Sequence, residues 1–374
     1  MPLPNKIAIV HDWLVSMRGG ERVLEVLCKL FPDAHLFTLV HREQSLSLPI
    51  ERMQTTTSFL QRLPFGVSHY QYYLPLYPFA ARSLDVTGYD LVISSSSAVA
   101  KSVKTRTGGL HICYCHTPMR YVWDQYDQYF GKGKSSPAVR LAMWMVRDYL
   151  RRWDVETAQN VDYYIANSRY VQERIKRIYR RDAEVLYPPV DVKRFSVSTN
   201  DDGYFLIVSA LVPYKRIDLA VQAFNSLGYR LLIVGFGSEE KKLKAIAKPN
   251  IEFLGVADDD TVKQFYENCR AVVFPGEEDF GIVPVEAMAC GKPIIAFGKG
   301  GVLETVVDGA TGIFFREQTP SSLIDAIHRW DRLSFDGYKI RAHAEQFATE
   351  IFTAGITASI SAKWESHHSG KHHP

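Results

Sequence analysis

Short apolar runs alternate with stretches whose apolar residues recur every three or four positions, and this happens in two series along the chain. The first series opens with a strand over residues 6–10, a turn at Gly19-Gly20 and a helix over about residues 21–29. Strands follow over residues 35–40, 90–94, 111–115 and 163–166, with helix-periodic segments between most of them. The second series starts near Tyr204 with YFLIVS and alternates cleanly: helix 217–224, strand 230–234, helix 239–247, strand 251–254 and helix 259–268. Strand 271–274, a helix carrying Glu286 and strand 293–297 complete it. Alternation at this spacing predicts parallel sheets flanked by helices. Residues 187–202, opening on Tyr-Pro-Pro, lack any period and read as a linker between two α/β domains. After Leu333 two further helical stretches appear, and the tail HHSGKHHP over residues 367–374 is expected to be disordered.

Composition narrows the class. A chain of 374 residues exceeds the size at which one core keeps growing, which agrees with two domains. No window approaches 18 uncharged apolar residues, and the N-terminus runs straight into a strand without a signal-peptide pattern. Five scattered cysteines, Cys28, Cys113, Cys115, Cys269 and Cys290, suit a reducing cytoplasm. The net charge of +3 hides an asymmetry: residues 1–195 carry 26 Lys and Arg against 18 Asp and Glu, the remainder 18 against 23. A basic first half suits an anionic partner: on charge alone nucleic acid and an anionic membrane surface both fit, with plain solvated surface charge as the alternative.

The richest chemistry lies in residues 275–301, PGEEDFGIVPVEAMACGKPIIAFGKGG. A loop with Glu278, Phe280 and Gly281 runs into a short helix whose apolar face includes Val285 and Met288, and Gly291 ends it. Glu278 and Glu286 stand eight positions apart, one on the loop and one on the helix. At that spacing both can face the crevice at the carboxyl edge of a parallel sheet, where open α/β folds bind ligands. Carboxylates accept hydrogen bonds from vicinal hydroxyls, and the helix N-terminus offers amides to oxygens. The pair predicts a polyhydroxylated, phosphate-bearing ligand. It resembles the E-x7-E signature of retaining, family-four glycosyltransferases of the GT-B fold, which use nucleotide-diphosphate sugars. That resemblance implies two Rossmann-like domains with parallel sheets facing across a cleft. They would span residues 1–195 for the acceptor and 196–345 for the nucleotide sugar, with a helix over 346–366 crossing back to the first.

Other motifs fit or qualify the resemblance. Gly19-Gly20-Glu21 follows the first strand and opens a helix, which lets amides approach an anion. It looks like the family's glycine phosphate loop, a role that the resemblance gives to Gly19 and Gly20. A dinucleotide fingerprint is absent: Gly235-Phe236-Gly237 also ends a strand, but Glu240 stands where the third glycine would be. Strand 111–115 ends in His116-Thr117-Pro118, and Pro118 holds the loop extended. By resemblance His116 contacts the sugar or lines the reaction face. Cys113, Cys115 and His116 lack a second ligand pair at zinc spacing and read as core thiols beside a histidine. The family commonly carries G-R-x-x-x-x-K before the first helix of its second domain. Here Lys215 is kept while Ser209 and Ala210 replace glycine and arginine, so a bidentate phosphate contact is lost. Arg216 is the candidate substitute. Asp258-Asp259-Asp260 follows a strand and precedes a helix, which fits cap and first-turn positions better than a D-x-D metal site. The preceding Gly255, Val256 and Ala257 fall where the family reads the base through backbone contacts.

Aromatic residues crowd positions 59–79 and basic ones positions 169–181, where Val171, Ile175, Ile178 and Tyr179 form an apolar stripe. A basic amphipathic helix near aromatics suits an anionic membrane or a lipid-diphosphate acceptor.

Taken with HDWL near the start and CHTPMRYVWD after it, the chain is similar to bacterial mannosyltransferases of O-antigen and exopolysaccharide assembly. The resemblance implies a cytoplasmic enzyme, peripheral on the inner membrane face. It would transfer mannose from GDP-mannose to a polysaccharide or lipid-linked oligosaccharide. His116 and Glu278 would work at the reacting sugar, with Gly19, Gly20, Lys215 and Arg216 on the diphosphate. Phe280, Gly281 and Ile282 would line the sugar, and Glu286 with residues 255–257 the nucleoside. No metal, cofactor or nucleic-acid partner is expected. The alternatives are a nucleotide-sugar epimerase of the same architecture and a non-catalytic scaffold that binds a nucleotide sugar or membrane.

Overall fold

The computed structural model describes residues 2–131 and 136–369. The chain divides into two compact units, residues 1–189 with 352–374 and residues 190–351. The first holds a parallel sheet of β1 (Ile7–His11), β2 (His35–Thr38), β3 (Thr55–Thr57), β4 (Leu91–Ser96), β5 (Leu110–Cys115), β6 (Tyr163–Ala166) and β7 (Ala183–Val185). Their spatial order is β3-β2-β1-β4-β5-β6-β7. The second holds β8 (Tyr204–Val208), β9 (Arg230–Val234), β10 (Ile251–Gly255), β11 (Ala271–Phe274), β12 (Ile294–Phe297) and β13 (Gly312–Phe315). These are arranged β10-β9-β8-β11-β12-β13, again parallel throughout.

The strands are apolar on both faces because helices cover both. In β1 Ala8 and Val10 enter one core cluster while Ile7 and Ile9 enter the other, the period-two split of a central strand. Strands β3, β7 and β13 went unread in the sequence. The first two are three-residue edge strands, too short for an apolar period.

Three expectations are corrected. The stretch 187–202, read as the linker, contains the division between the units, but its residues from 190 on belong to the second unit. Val190, Val192 and Phe195 are buried, Val190 bridges to Ala348, and Arg341 Nη1 donates to Phe195 O at 2.8 Å. The unit boundary therefore falls at 189/190 rather than 195/196. The first helix begins earlier than read: Gly19 and Gly20, expected as a turn before it, are the first residues of Gly19–Leu30, with Arg18 as N-cap. The last helix is Thr349–Ser369, so residues 367–369 are helical; residues 370–374 of the tail lie outside the described residues.

That last helix matters to the first core. Phe352, Ile356, Ile360 and Trp364, each four apart, pack with Ile7, Ile9 and Leu24. Burial of side chains this size stabilises by about 2 kcal/mol each. The Trp364 indole N–H donates to Pro2 O at 3.1 Å.

The basic helix Arg169–Tyr179 buries Val171, Ile175 and Tyr179 as its stripe predicts. Its charges are less available than the sequence suggests. Arg174 is buried, with Nε on Asp124 at 2.8 Å and Nη1 on Thr117 Oγ1 at 2.6 Å, and Arg177 joins the same Asp124 at 2.9 Å. Among the described residues no helix is long and apolar enough to cross a membrane.

Candidate functional site

Strand order reverses once in each sheet, between β1 and β4 in the first and between β8 and β11 in the second. Loops leave in opposite directions at such a point, opening a crevice at the carboxyl ends of the strands. The residues singled out in the sequence gather at these two edges, one group in each unit.

In the first unit His11 closes β1, Ser95 lies opposite it on β4, and His116 follows β5. His11 Nδ1 is 3.1 Å from Ser95 Oγ, and Ser95 Oγ is 2.8 Å from His116 Nε2. The backbone N–H of His116 donates to Ser96 O at 2.8 Å, which fixes the residue against β4. The first turn of Gly19–Leu30 lies alongside. A Cβ placed on Gly20 would stand 3.5 Å from His116 Nε2 and 3.6 Å from His11 Cε1, in ordinary contact with both rings. Glu21 on the same turn accepts from Arg18 N–H at 3.1 Å and holds its other oxygen 3.7 Å from His11 Nε2. Burial first, then the neighbouring His11 and Arg120, push the His116 pKa down to about 3, so this imidazole is neutral.

Beside His11, buried Asp12 accepts five hydrogen bonds from residues 97–100. They come from the amides of Ser97, Ala98, Val99 and Ala100 at 2.5–3.0 Å and from the Ser97 hydroxyl at 3.0 Å. A carboxylate filling a nest of amides locks the loop after β4. Sequence reasoning used His11 and Asp12 only as part of HDWL and gave no site role to them or to Ser95. The available signal was two polar residues ending an otherwise apolar strand.

In the second unit Lys215, after β8, is ion-paired with Glu278, after β11, so the pair spans the reversal. Their side chains are 14% and 24% exposed, open enough to meet a ligand. The neighbouring Arg216 has a left-handed backbone (φ 53°) and caps the helix Ile217–Leu227. Its guanidinium is held by Asp218 at 3.2 Å and Gln318 at 3.5 Å. The structure thus brings Lys215 to Glu278 but ties Arg216 to its own helix. Glu277 pairs with Lys299 at 3.1 Å.

Gly281 precedes the helix Ile282–Ala289 with φ 90°, and a Cβ there would meet the Phe274 ring at 3.3 Å. Only glycine turns the chain so tightly into this helix. The Phe280 ring is buried against Phe347 (centroids 5.6 Å apart), so what residue 280 can offer a ligand is backbone. Ile282 is half-buried. Glu286 accepts from the hydroxyl of buried Tyr266 at 3.1 Å, a partner not foreseen from the sequence. Gly255 and the exposed Val256 lie at the end of β10, where Gly235 N–H donates to Gly255 O at 2.7 Å. Asp258 accepts from Thr261 N–H at 2.7 Å as the N-cap of Asp259–Asn268. Among the described residues no three His, Cys, Asp or Glu side chains converge as a metal site, and all five cysteines are free and buried.

Two family models together match most of this chain: Glycosyltransferase Family 4 over residues 17–194 and Glycosyl transferases group 1 over residues 191–348. An uncharacterized glycosyltransferase of Methanocaldococcus jannaschii is 33% identical over 173 residues, 45% of this chain and 49% of the relative. The alpha-1,3/1,6-mannosyltransferase of Dictyostelium discoideum is 23% identical over 285 residues, 63% of this chain and 64% of the relative. The chain thus spans about half the length of the first of these relatives, and 30% of a Pseudomonas aeruginosa glycogen synthase to which it is 31% identical. In fold it is similar to Anabaena HepE solved with UDP and glucose, with a TM-score of 0.70 at 20% identity over 95% of this chain and 99% of that one.

Proposed function

The chain belongs to the GT-B glycosyltransferases of the family 4 type, and from that premise we propose that it is a retaining transferase of a hexose from a nucleoside diphosphate sugar to a saccharide hydroxyl. The observation that carries the reading is the Lys215–Glu278 pair at the reversal of the second sheet, eight residues before Glu286. In this reading Lys215 is the cation for the diphosphate, Glu278 the carboxylate for sugar hydroxyls, and Glu286, on the helix that follows, the carboxylate for ribose.

In this reading the bond from the anomeric carbon to the diphosphate breaks, and a bond to the acceptor oxygen forms on the same face. The acceptor's proton goes to the departing phosphate oxygen, so no side chain serves as nucleophile. Lys215 and the amides of Gly19 and Gly20 offset the leaving charge without a metal. Glu278, the backbone at Phe280 and Gly281, and Ile282 hold the sugar. Glu286 holds the ribose, and residues 255–257 line the base. His116, neutral at its site, exchanges a hydrogen bond with the sugar. GDP-mannose is the donor we favour, and the mannosyltransferase relative supports the sugar. The acceptor is a growing polysaccharide or lipid-linked oligosaccharide.

Peripheral binding to an anionic membrane fits the first unit. Leu141, Trp144 and Met145 are exposed on the helix Pro137–Thr157 among Arg140, Arg147, Arg151 and Arg152, and Phe65, Tyr72 and Phe79 are exposed in the aromatic segment. Apolar anchors beside arginines are what such a surface attracts.

Incubation with a panel of labelled nucleotide sugars in EDTA, with and without lipid-linked saccharides, tests the reading. Acceptor-dependent transfer with retained anomeric configuration is expected. Conversion of free nucleotide sugars without acceptor identifies an epimerase instead, and binding without turnover a scaffold. Loss of transfer in EDTA with rescue by magnesium or manganese overturns the metal-free mechanism.

A further inference from the structure

Ser95 has one hydroxyl proton and two imidazole nitrogens within reach, His11 Nδ1 at 3.1 Å and His116 Nε2 at 2.8 Å. It can donate to one and must then accept from the other. We propose that Glu21, His11, Ser95 and His116 form a relay in which the state of His11 sets whether His116 presents a bare nitrogen or an N–H at Nδ1.

The relay starts from a fixed charge. Glu21 is anchored by Arg18 N–H and faces His11 Nε2 at 3.7 Å, so its charge draws the proton of a neutral His11 to Nε2. His11 Nδ1 then accepts from Ser95, and Ser95 Oγ accepts from His116 Nε2–H. His116 Nδ1 is left as a lone pair, an acceptor for a hydroxyl. When His11 takes a second proton at Nδ1, it donates to Ser95. His116 gives its Nε2 proton to Ser95 as Ser95 passes its own to His11, and His116 Nδ1 takes one from solvent, so that the hydroxyl now donates to His116 Nε2. The group gains one proton in all, which ends on His11, and His116 stays singly protonated, kept neutral by burial and nearby positive charge.

The groups facing the two rings come from four elements. They are Glu21 from the first helix, Ser95 from β4, Tyr114 from β5 with its ring 5.2 Å from His116, and Arg120 beyond the loop. Asp12, next to His11, is saturated by residues 97–100 and takes no part. Among the described residues His116 Nδ1 makes no hydrogen bond, and the residue as a whole is half-buried.

His11, Ser95 and Glu21 are positioning residues in this scheme. The consequence for transfer rests on the reading above that His116 meets the sugar: its polarity toward a sugar hydroxyl would switch with the protonation of His11. The relay itself does not depend on that reading.

The test is nitrogen NMR of the full-length protein labelled with 15N-histidine. His11→Gln and His116→Gln assign the two rings. In wild type the shifts of both His116 nitrogens should exchange characters at the midpoint where His11 titrates, from a bare Nδ1 at high pH to a bare Nε2 at low pH. In Ser95→Ala that correspondence should vanish while His11 still titrates. In the near-isosteric Glu21→Gln a bare His116 Nε2 should already be populated at high pH. His116 nitrogens that ignore the His11 midpoint in wild type, or follow it equally well in Ser95→Ala, overturn the relay. Where transfer is measurable, Ser95→Ala should change its pH dependence, whereas a purely structural serine would lower the rate equally at every pH. Absence of transfer with every donor would count against the proposed function and leave the NMR result to decide the relay.

Discussion

Lys215 and Glu278 are ion-paired across the strand-order reversal of the second sheet, so the cation suited to a diphosphate already has an anion beside it. A ligand must compete for that lysine. The pair is part-exposed, so it is worth no more than about 1 kcal/mol, and a dianionic diphosphate can displace the carboxylate toward the sugar.

Glu278→Gln should therefore keep or tighten nucleoside diphosphate binding, up to about fivefold, because Lys215 is released. Turnover should nevertheless fall by more than about tenfold if the carboxylate acts on the sugar at the transition state. Lys215→Met should do the reverse to affinity. Calorimetry with nucleoside diphosphate and initial rates with the full donor separate the two effects. Weaker binding in Glu278→Gln would contradict the competition.

Tyr266 donates to Glu286 from a buried position. Tyr266→Phe removes that bond and should weaken nucleotide binding several-fold through a less fixed carboxylate, since a hydrogen bond to a charged group is worth about 1.5–3 kcal/mol. Glu286→Ala should weaken it more, with kcat reduced less than kcat/KM in both. An unchanged Kd in Tyr266→Phe would show that the tyrosine only fills the core.

Vesicle co-sedimentation tests the membrane surface. Leu141→Ser with Trp144→Ser should release the protein from anionic vesicles, and higher salt should weaken what remains. Lys176→Gln with Arg177→Gln should matter less, because Lys176 and Arg177 face Asp182 and Asp124 within the same unit. Equal effects from both pairs would shift the contact toward the basic helix. No binding by wild type at low salt would end the proposal.

Acid should loosen the first unit. Burial pushes His111 down to about 4 and His116 to about 3, both below the ~6.5 of a free imidazole. The unfolded chain then binds protons that the folded chain refuses. The stability contribution is full above about pH 6.5 and is lost as pH falls, at up to about 1.4 kcal/mol per pH unit for each ring. His111 is wholly enclosed and should deliver most of this; His116, only half-buried, should deliver less. Urea unfolding between about pH 7.5 and 4.5 should give a falling midpoint, and His111→Asn should flatten the slope. A flat profile in wild type would refute it.

The second unit was the more legible half because its strands are unbroken apolar runs separated by single helices, and YFLIVS and PIIAF carry their own boundaries. In the first unit short edge strands such as Thr55–Thr57 have too little apolar content to register. Glu278 and Lys215 stood out as charges in strand-end turns, yet their pairing could not be read, because they stand 63 positions apart and only the strand order joins them. Arg216 illustrates the same limit: adjacency to Lys215 suggested a shared role, while a left-handed backbone turns it to Asp218. Ser95 was invisible in a run of four serines, since which of them meets a histidine depends on strand register.

The helix Thr349–Ser369 supplies four side chains to the core built around β1. A ribosome therefore releases the opening strands long before the residues that finish their core. At roughly 5–20 residues per second, Ile9 waits on the order of 20 to 70 s for Trp364 to be synthesised. Residues 190–351 carry all their own strands and can mature in that interval, so the unit that opens with β1 is completed after the unit that follows it in sequence. A chain stopped after residue 351 should leave residues 190–351 protease-resistant and cut readily within the first 189. Resistance throughout would mean that the opening unit needs no such closing helix.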